Sequence, residues 1–148
     1  MDIPSEALLG WLRGKLGKQV GYVAPPVRLA GGFDTVTMAF RLGEAPEGLD
    51  GDLILRVLPQ TAPNERLRRE VATHDALVAA GFPAPRVFLH EEDTGWLGGP
   101  FVVMERLAGE TMWEAAMGSS GDKRRLFTLS RRLAAAQAAI DEKRAKKK

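Results

Sequence analysis

The run Asp52-Leu53-Ile54-Leu55-Arg56-Val57-Leu58-Pro59 carries one obligate cation in the middle of an apolar stretch. Arginine stays charged at any accessible pH and is almost never buried without a partner. Arg56 therefore has one chemistry open to it, the holding of an anion supplied by the protein or by a ligand. Glu70 is an acid in a position to answer it. It follows Leu67 by three residues and precedes His74 by four, on the apolar stripe of a predicted helix, where an unpaired carboxylate is costly. Two arrangements satisfy Glu70: an ion pair with Arg56, or local solvation by Arg68 and Arg69. The residues by themselves leave both open. A further chemical feature is the glycine pair Gly31-Gly32, followed by Phe33-Asp34. Glycines let backbone amides approach a ligand closely, and free N–H groups at such a turn can cradle phosphate. Most Gly-Gly hairpins, however, are turns and nothing more.

These residues need elements to position them. Alternation along a buried strand puts Leu53, Leu55 and Val57 on one face and Ile54, Arg56 and Leu58 on the other. The Glu70 helix is predicted from Glu65 to Ala80, entered through Pro63-Asn64 and closed by Gly81, with Pro83 and Pro85 beyond; its stripe is Leu67, Val71, His74, Leu77 and Val78. A first helix is predicted over Ser5–Leu16, capped by Ser5 and ended by Gly17, with Leu8, Leu9, Trp11, Leu12 and Leu16 on its apolar face. Gly21 to Pro26 reads as a turn-rich connection. Val27–Ala30 and Thr35–Leu42 read as strands flanking the glycine turn, and Arg86–His90 and Phe101–Glu105 as two more. His90, beside Glu91 and Glu92, reads as a surface residue at a strand end. Thr111 to Met117 is expected as a short helix, Gly118–Gly121 as a joint, and Asp122 as the start of a final helix bearing Leu126, Leu129, Leu133 and Ala136. The basic end reads as a solvated terminus.

Composition narrows the function classes. The chain has 148 residues, 45% of them hydrophobic, enough for a real core. A net charge of +2 makes no bulk case for nucleic acid. Without cysteine there is no disulfide, thiolate metal site or cysteine nucleophile, and two well-separated histidines make a histidine metal site an unpromising reading. No apolar run approaches the ~20 residues of a membrane span. The N-terminus shows neither basic nor apolar signal-peptide regions, so the expectation is a cytoplasmic protein with no membrane partner.

The order of elements, together with Leu29-Ala30-Gly31-Gly32-Phe33-Asp34-Thr35, Leu53-Ile54-Leu55-Arg56, Arg69-Glu70, Gly81-Phe82-Pro83-Ala84-Pro85-Arg86-Val87 and Gly99-Pro100 through Gly109, resembles the aminoglycoside phosphotransferase family of small-molecule kinases over roughly residues 5–117. The resemblance implies an α+β fold: a protein-kinase-like N-terminal lobe with a five-stranded antiparallel sheet, a helix of the αC type, and additional N- and C-terminal helices. Its divisions would be 1–20 (N-terminal helix), 21–110 (lobe and hinge) and 111–148 (the start of a C-terminal lobe). The resemblance also implies a nucleotide, ATP or GTP with Mg, as ligand. Gly31, Gly32, Phe33 and Thr35 would lie over its phosphates, with Asp34 pointing away or capping the turn. Arg56 would hold the α- and β-phosphates and Glu70 would orient Arg56. Met104 would stand as gatekeeper, the Glu105 carbonyl and Leu107 amide would meet the adenine edge, and Leu29 and Ile54 would wall it. Leu29, Ile54 and Met104 read equally well as ordinary core.

The same resemblance implies parts that this sequence does not show. Phosphoryl transfer of this type uses a carboxylate base and a metal-binding acid beyond the hinge. After Gly109 there is no histidine, and the only aspartates are Asp122 and Asp141, neither in a matching setting. No catalytic residue and no metal ligand is therefore assigned. The favoured expectation is the nucleotide-binding half of a small-molecule kinase, inactive alone. The alternatives are a nucleotide- or partner-binding module, pairing with a C-terminal lobe in trans, and an interaction domain that has lost its ligand. Leu126, Leu129 and Leu133 lead to an expectation of self-association or a mobile terminal helix. The sequence does not name the phosphate acceptor.

Overall fold

The computed structural model describes residues 2–30, 32–109 and 123–146. The elements run α1 (Ser5–Leu16), β1 (Gly21–Arg28), β2 (Val36–Gly43), β3 (Asp52–Val57), α2 (Asn64–Ala79), β4 (Val87–Glu91), β5 (Phe101–Glu105) and α3 (Lys123–Lys146). The five strands form one antiparallel sheet in the order β1-β2-β3-β5-β4, and the fold is α+β with a kinase-like N-terminal lobe. The chain divides into two compact units, one ending at Leu107 and the other beginning at Ala108.

Strand alternation decides which helix covers which face of the sheet. Leu53, Leu55 and Val57 are fully buried on the α1 side, in a core with Leu8, Trp11, Leu12, Phe40, Leu42, Phe101 and Val103. Trp11 meets Phe101 edge-on at 4.7 Å, and its indole N–H donates to Glu91 Oε1 at 2.9 Å, so one side chain ties α1 to both β5 and β4. Tyr22 Oη donates to the Ser5 carbonyl at 2.6 Å and fixes β1 to the start of the same helix. Desolvation, reinforced by Glu6, pushes the Tyr22 hydroxyl well above its ordinary value. On the opposite face a smaller core joins Leu58, Leu67, Val102 and Met104, with Ile54, Val71 and Val87 packed against it, and this seats α2.

Several boundaries differ from those expected. Gly21–Pro26 is not a connection: Gly21–Arg28 is strand β1 despite Pro25-Pro26. The prolines are tolerated because β1 is an edge strand, where a missing N–H breaks no ladder bond, and because its pairing with β2 is interrupted by bulges between Tyr22 and Ala24 and between Ala24 and Val27. Ser5 does not cap α1, and α2 begins at Asn64 itself. Pro4 and Pro63 hold the two N-cap positions, with no side-chain cap bond. The end of α2 is closed by backbone: Gly81 adopts φ +81°, its N–H donates to the Val78 carbonyl, and the Phe82 N–H reaches back to Leu77 at 3.0 Å. Gly17 closes α1 as expected, at φ +116°.

In the second unit α3 is a 24-residue helix, about 36 Å long at 1.5 Å per residue. Glu142 and Lys146 pair at 3.3 Å one turn apart, and Phe127 and Leu133 are exposed on it. The expected short helix over 111–117, the joint at 118–121 and the helix start at Asp122 lie outside the described residues. No helix among the described residues is long and apolar enough to cross a membrane.

Candidate nucleotide site

Cross-strand partners share a face of the sheet. The register therefore lines up Val27, Ala39, Ile54, Met104 and Val87 as one row across β1, β2, β3, β5 and β4. Two residues further along, Thr37, Arg56, Val102 and His90 form the next row on that face. Helix α2 covers only the β3-β5-β4 side of this face. On the β1-β2 side Val27 and Ala39 of the first row border a cavity of about 310 Å³, lined also by Ala24, Pro25, Leu29, Phe40, Asp52 and Arg106. Ala39 is the small member of its row, between neighbours whose larger side chains point to the α1 core.

The segment leaving β5 borders this cavity through Arg106, whose N–H donates to the Asp52 carbonyl at 3.1 Å. Glu105 is turned the other way, toward β4: its N–H donates to the Arg86 carbonyl at 2.8 Å, and its carboxylate accepts from the Arg86 N–H at 3.2 Å. Leu107, two residues on, is exposed. Leu29 lines the cavity, and its N–H donates to the Thr37 carbonyl at 2.9 Å, continuing the β1-β2 ladder past the end of β1. Ile54 and Met104 do not line it. They share its row but lie under α2, in the smaller core.

Arg56 projects from the second row, four residues along β3 from Asp52 and hence roughly 13 Å from the cavity's Asp52 end. Its Nη2 lies 3.4 Å from Glu70 Oε1, so of the two arrangements open for Glu70 the structure has the ion pair across the face. Arg69 instead pairs with Glu65 at 3.5 Å, and Arg68 reaches Glu92, with Nη2 to Oε2 at 2.9 Å. Glu70 Oε2 and His74 Nδ1, one turn apart on α2, are buried without a hydrogen-bond partner.

The glycine turn stands beside this pair. Gly32 has φ +90°, and a Cβ there would press at 3.1 Å on the Thr35 carbonyl and hydroxyl oxygens, so the turn closes tightly over Thr35. Phe33 is fully exposed. Gly31 lies outside the described residues. Both oxygens of Asp34 accept hydrogen bonds from Arg66 on α2, at 2.7 and 3.1 Å, and the carboxylate also takes a hydrogen bond from its own backbone N–H. Arg66 Nε also comes within 3.9 Å of Glu70 Oε1. Those hydrogen bonds hold the Asp34 carboxyl below the usual carboxylate range and raise the Arg66 guanidinium, and the charge of Arg56 acts on Asp34 in the same direction. Arg66 was missed in the sequence, although its place one turn before Glu70 puts it on the same helix face.

The profile of the phosphotransferase enzyme family, APH, matches residues 27–146. The chain belongs to that family. A crystal structure of a candidate aminoglycoside phosphotransferase from Ralstonia eutropha JMP134 matches it with a TM-score of 0.54 at 22% identity, over 80% of this chain and 32% of that one. At that identity the likeness shows the fold, and the chain spans about a third of the length of that protein. No curated protein matches the chain. In this family member the β3 cation is paired to an acid of α2 beside a glycine turn, on the face of the sheet that also borders the cavity.

Proposed function

We propose that this chain forms the nucleotide-holding lobe of a small-molecule kinase that moves a phosphoryl group from ATP or GTP to a hydroxyl. The observation that carries this reading is the Arg56–Glu70 pair on the cavity face of the sheet, next to the glycine turn. A purine suits the cavity, whose size is at the lower end for ligand pockets and whose Val27, Leu29 and Ala39 walls are apolar. The Glu105 carbonyl and the Leu107 amide would meet the base edge. Arg56 would hold the phosphates, Glu70 would keep its fork aimed, and the Gly32 turn, with Phe33 and Thr35, would close over them. ATP supplies the transferred phosphoryl group, and Mg, by family habit, would neutralise its charge. Among the described residues no group of three or more His, Cys, Asp or Glu could hold a metal, and the roles given to Arg56, Glu70 and the turn do not depend on the ion. The Arg56–Glu70 pair beside the turn equally favours a second reading, nucleotide binding without chemistry. A C-terminal lobe supplied in trans, or self-association through α3, would fit either one.

The test is a titration of the purified chain with Mg-ATP and with Mg-GTP, followed by backbone amide NMR and repeated on Arg56→Ala. Shifts concentrated at Gly32–Thr35, Ile54–Arg56 and Glu105–Leu107, and weakened by the substitution, are expected. No shift at millimolar nucleotide would overturn the nucleotide reading. Assay of the same preparation for phosphoryl transfer to hydroxylated acceptors separates the kinase from the binding module.

A further inference from the structure

In this structure the anion seated in the fork of Arg66 is the chain's own Asp34. Arg66 and Arg56 converge on a single oxygen, Glu70 Oε1, from 3.9 and 3.4 Å. One carboxylate thus answers two guanidinium groups, and Asp34 completes the charge balance from the glycine turn. Both arginine side chains are 35% exposed, so a ligand in solution can reach them. Asp34, by contrast, is exposed, and an exposed ion pair is weak and screened by salt. A nucleotide phosphate carries more charge than a carboxylate and matches the same two-donor fork. An exposed carboxylate seated in one guanidinium fork, at the turn expected to cover phosphates, has the properties of a displaceable stand-in.

We infer that Arg66 is a second phosphate-holding cation beside Arg56, and that Asp34 is an intramolecular anion that occupies Arg66 until a nucleotide phosphate displaces it. The inference rests on the nucleotide reading above and adds two residues to it. When a phosphate enters, the Arg66 fork turns from Asp34 to the phosphate, and the turn from Gly32 to Asp34 is released from α2 and can settle over the ligand. The chain's affinity for nucleotide is then set by a competition within the molecule. Removing the competitor strengthens binding, and removing the cation weakens it. If Asp34 merely anchored the turn in its binding shape, both removals would weaken binding, so the sign of the Asp34 effect decides between the two roles.

The experiment is calorimetric titration of the full chain with Mg-ATP and, separately, with adenosine, for the unsubstituted protein and for Asp34→Asn, Arg66→Gln and Arg66→Lys. All three substitutions are at exposed or half-exposed positions, and thermal melts check that the variants fold. Arg66→Gln is expected to weaken Mg-ATP about tenfold and to leave adenosine unchanged, with Arg66→Lys between the two, because it keeps the charge and loses the fork. Asp34→Asn is expected to strengthen Mg-ATP by roughly threefold, most clearly at low salt. Weakening by Asp34→Asn, or an Arg66→Gln affinity equal to that of the unsubstituted chain, overturns the inference while leaving the nucleotide reading in place. Absence of Mg-ATP binding by the unsubstituted chain removes the nucleotide reading itself, and the inference with it.

Discussion

Glu70→Gln tests the physical reasoning behind the site most directly. The substitution keeps the volume of a side chain that is 22% exposed and removes its charge, leaving Arg56, 35% exposed, without the anion 3.4 Å away. At an effective dielectric of 20, two unit charges at that distance attract by about 5 kcal/mol before desolvation and side-chain ordering are subtracted. Exposed pairs retain roughly 0.2–1 kcal/mol of such an attraction, whereas removing one partner of a buried pair costs about 3–5 kcal/mol. The Arg56–Glu70 pair is between these extremes, so its coupling should be about 1–2 kcal/mol. The amide adds a smaller penalty, because an N–H at the buried site of Glu70 Oε2 is taken out of water. With a urea m-value of about 2 kcal/mol/M, the midpoint should fall by roughly 0.5–1 M. The assay is urea unfolding followed by tryptophan fluorescence, to which the buried Trp11 contributes, run as a double-mutant cycle with Arg56→Gln so that the pair is isolated from each side chain's separate contribution. A coupling within about 0.3 kcal/mol of zero would refute the pair as an energetic unit. Mg-ATP affinity should fall about tenfold in Glu70→Gln because Arg56 loses its aim. An unchanged affinity would mean that Glu70 stabilises the lobe without orienting the cation.

Two further outcomes follow from the structure. The carboxyls of Asp34 and Glu92 are held below their ordinary values of 3.8 and 4.5 by hydrogen bonds from Arg66 and Arg68, so the stability they contribute is present above those values and is lost as pH falls through the lowered folded-state values. Side-chain carbon NMR titration should therefore show both groups titrating below 3.8 and 4.5, with Asp34 rising toward its ordinary value in Arg66→Gln; an Asp34 value unmoved by that change would contradict the pairing. Gly99→Ala should be severely destabilising, because its Cβ would collide with the Leu58 carbonyl oxygen, where Leu58 N–H donates to Pro100 O at 2.8 Å, and would approach Val57 Cγ1 to 3.4 Å. A loss of about 3 kcal/mol, roughly 10 °C in Tm, is expected in a thermal melt, and a change under 2 °C would show that the segment relaxes freely.

Much of the lobe was legible because its signals are local. The alternation over Leu53–Leu58 separated the α1 face from the α2 face correctly, since a strand's period of two is a property of the backbone alone. The apolar spacing of Leu8, Leu9, Trp11 and Leu12 located α1 for the same kind of reason. Edge position, by contrast, is a matter of neighbours. Pro25-Pro26 reads as an interruption in one dimension and is harmless in a strand at the edge of the sheet, whose outer side has no strand partner among the described residues.

The site divides in the same way. The sequence by itself determined that Arg56 must have an anion and that Glu70 must have a cation, because a guanidinium and a carboxylate on apolar faces cannot be left unpaired whatever the fold. It also determined that a glycine turn stands upstream of both. Only the tertiary structure decided which partners were chosen. The β2-β3-β5 register put Ile54 and Met104 under α2 and left Ala39 beside the open cavity, and the seating of α2 brought Arg66 onto Asp34, 32 residues away in the chain. Such pairings depend on the distance between elements that only packing brings together, and spacing along the chain carries no record of that distance.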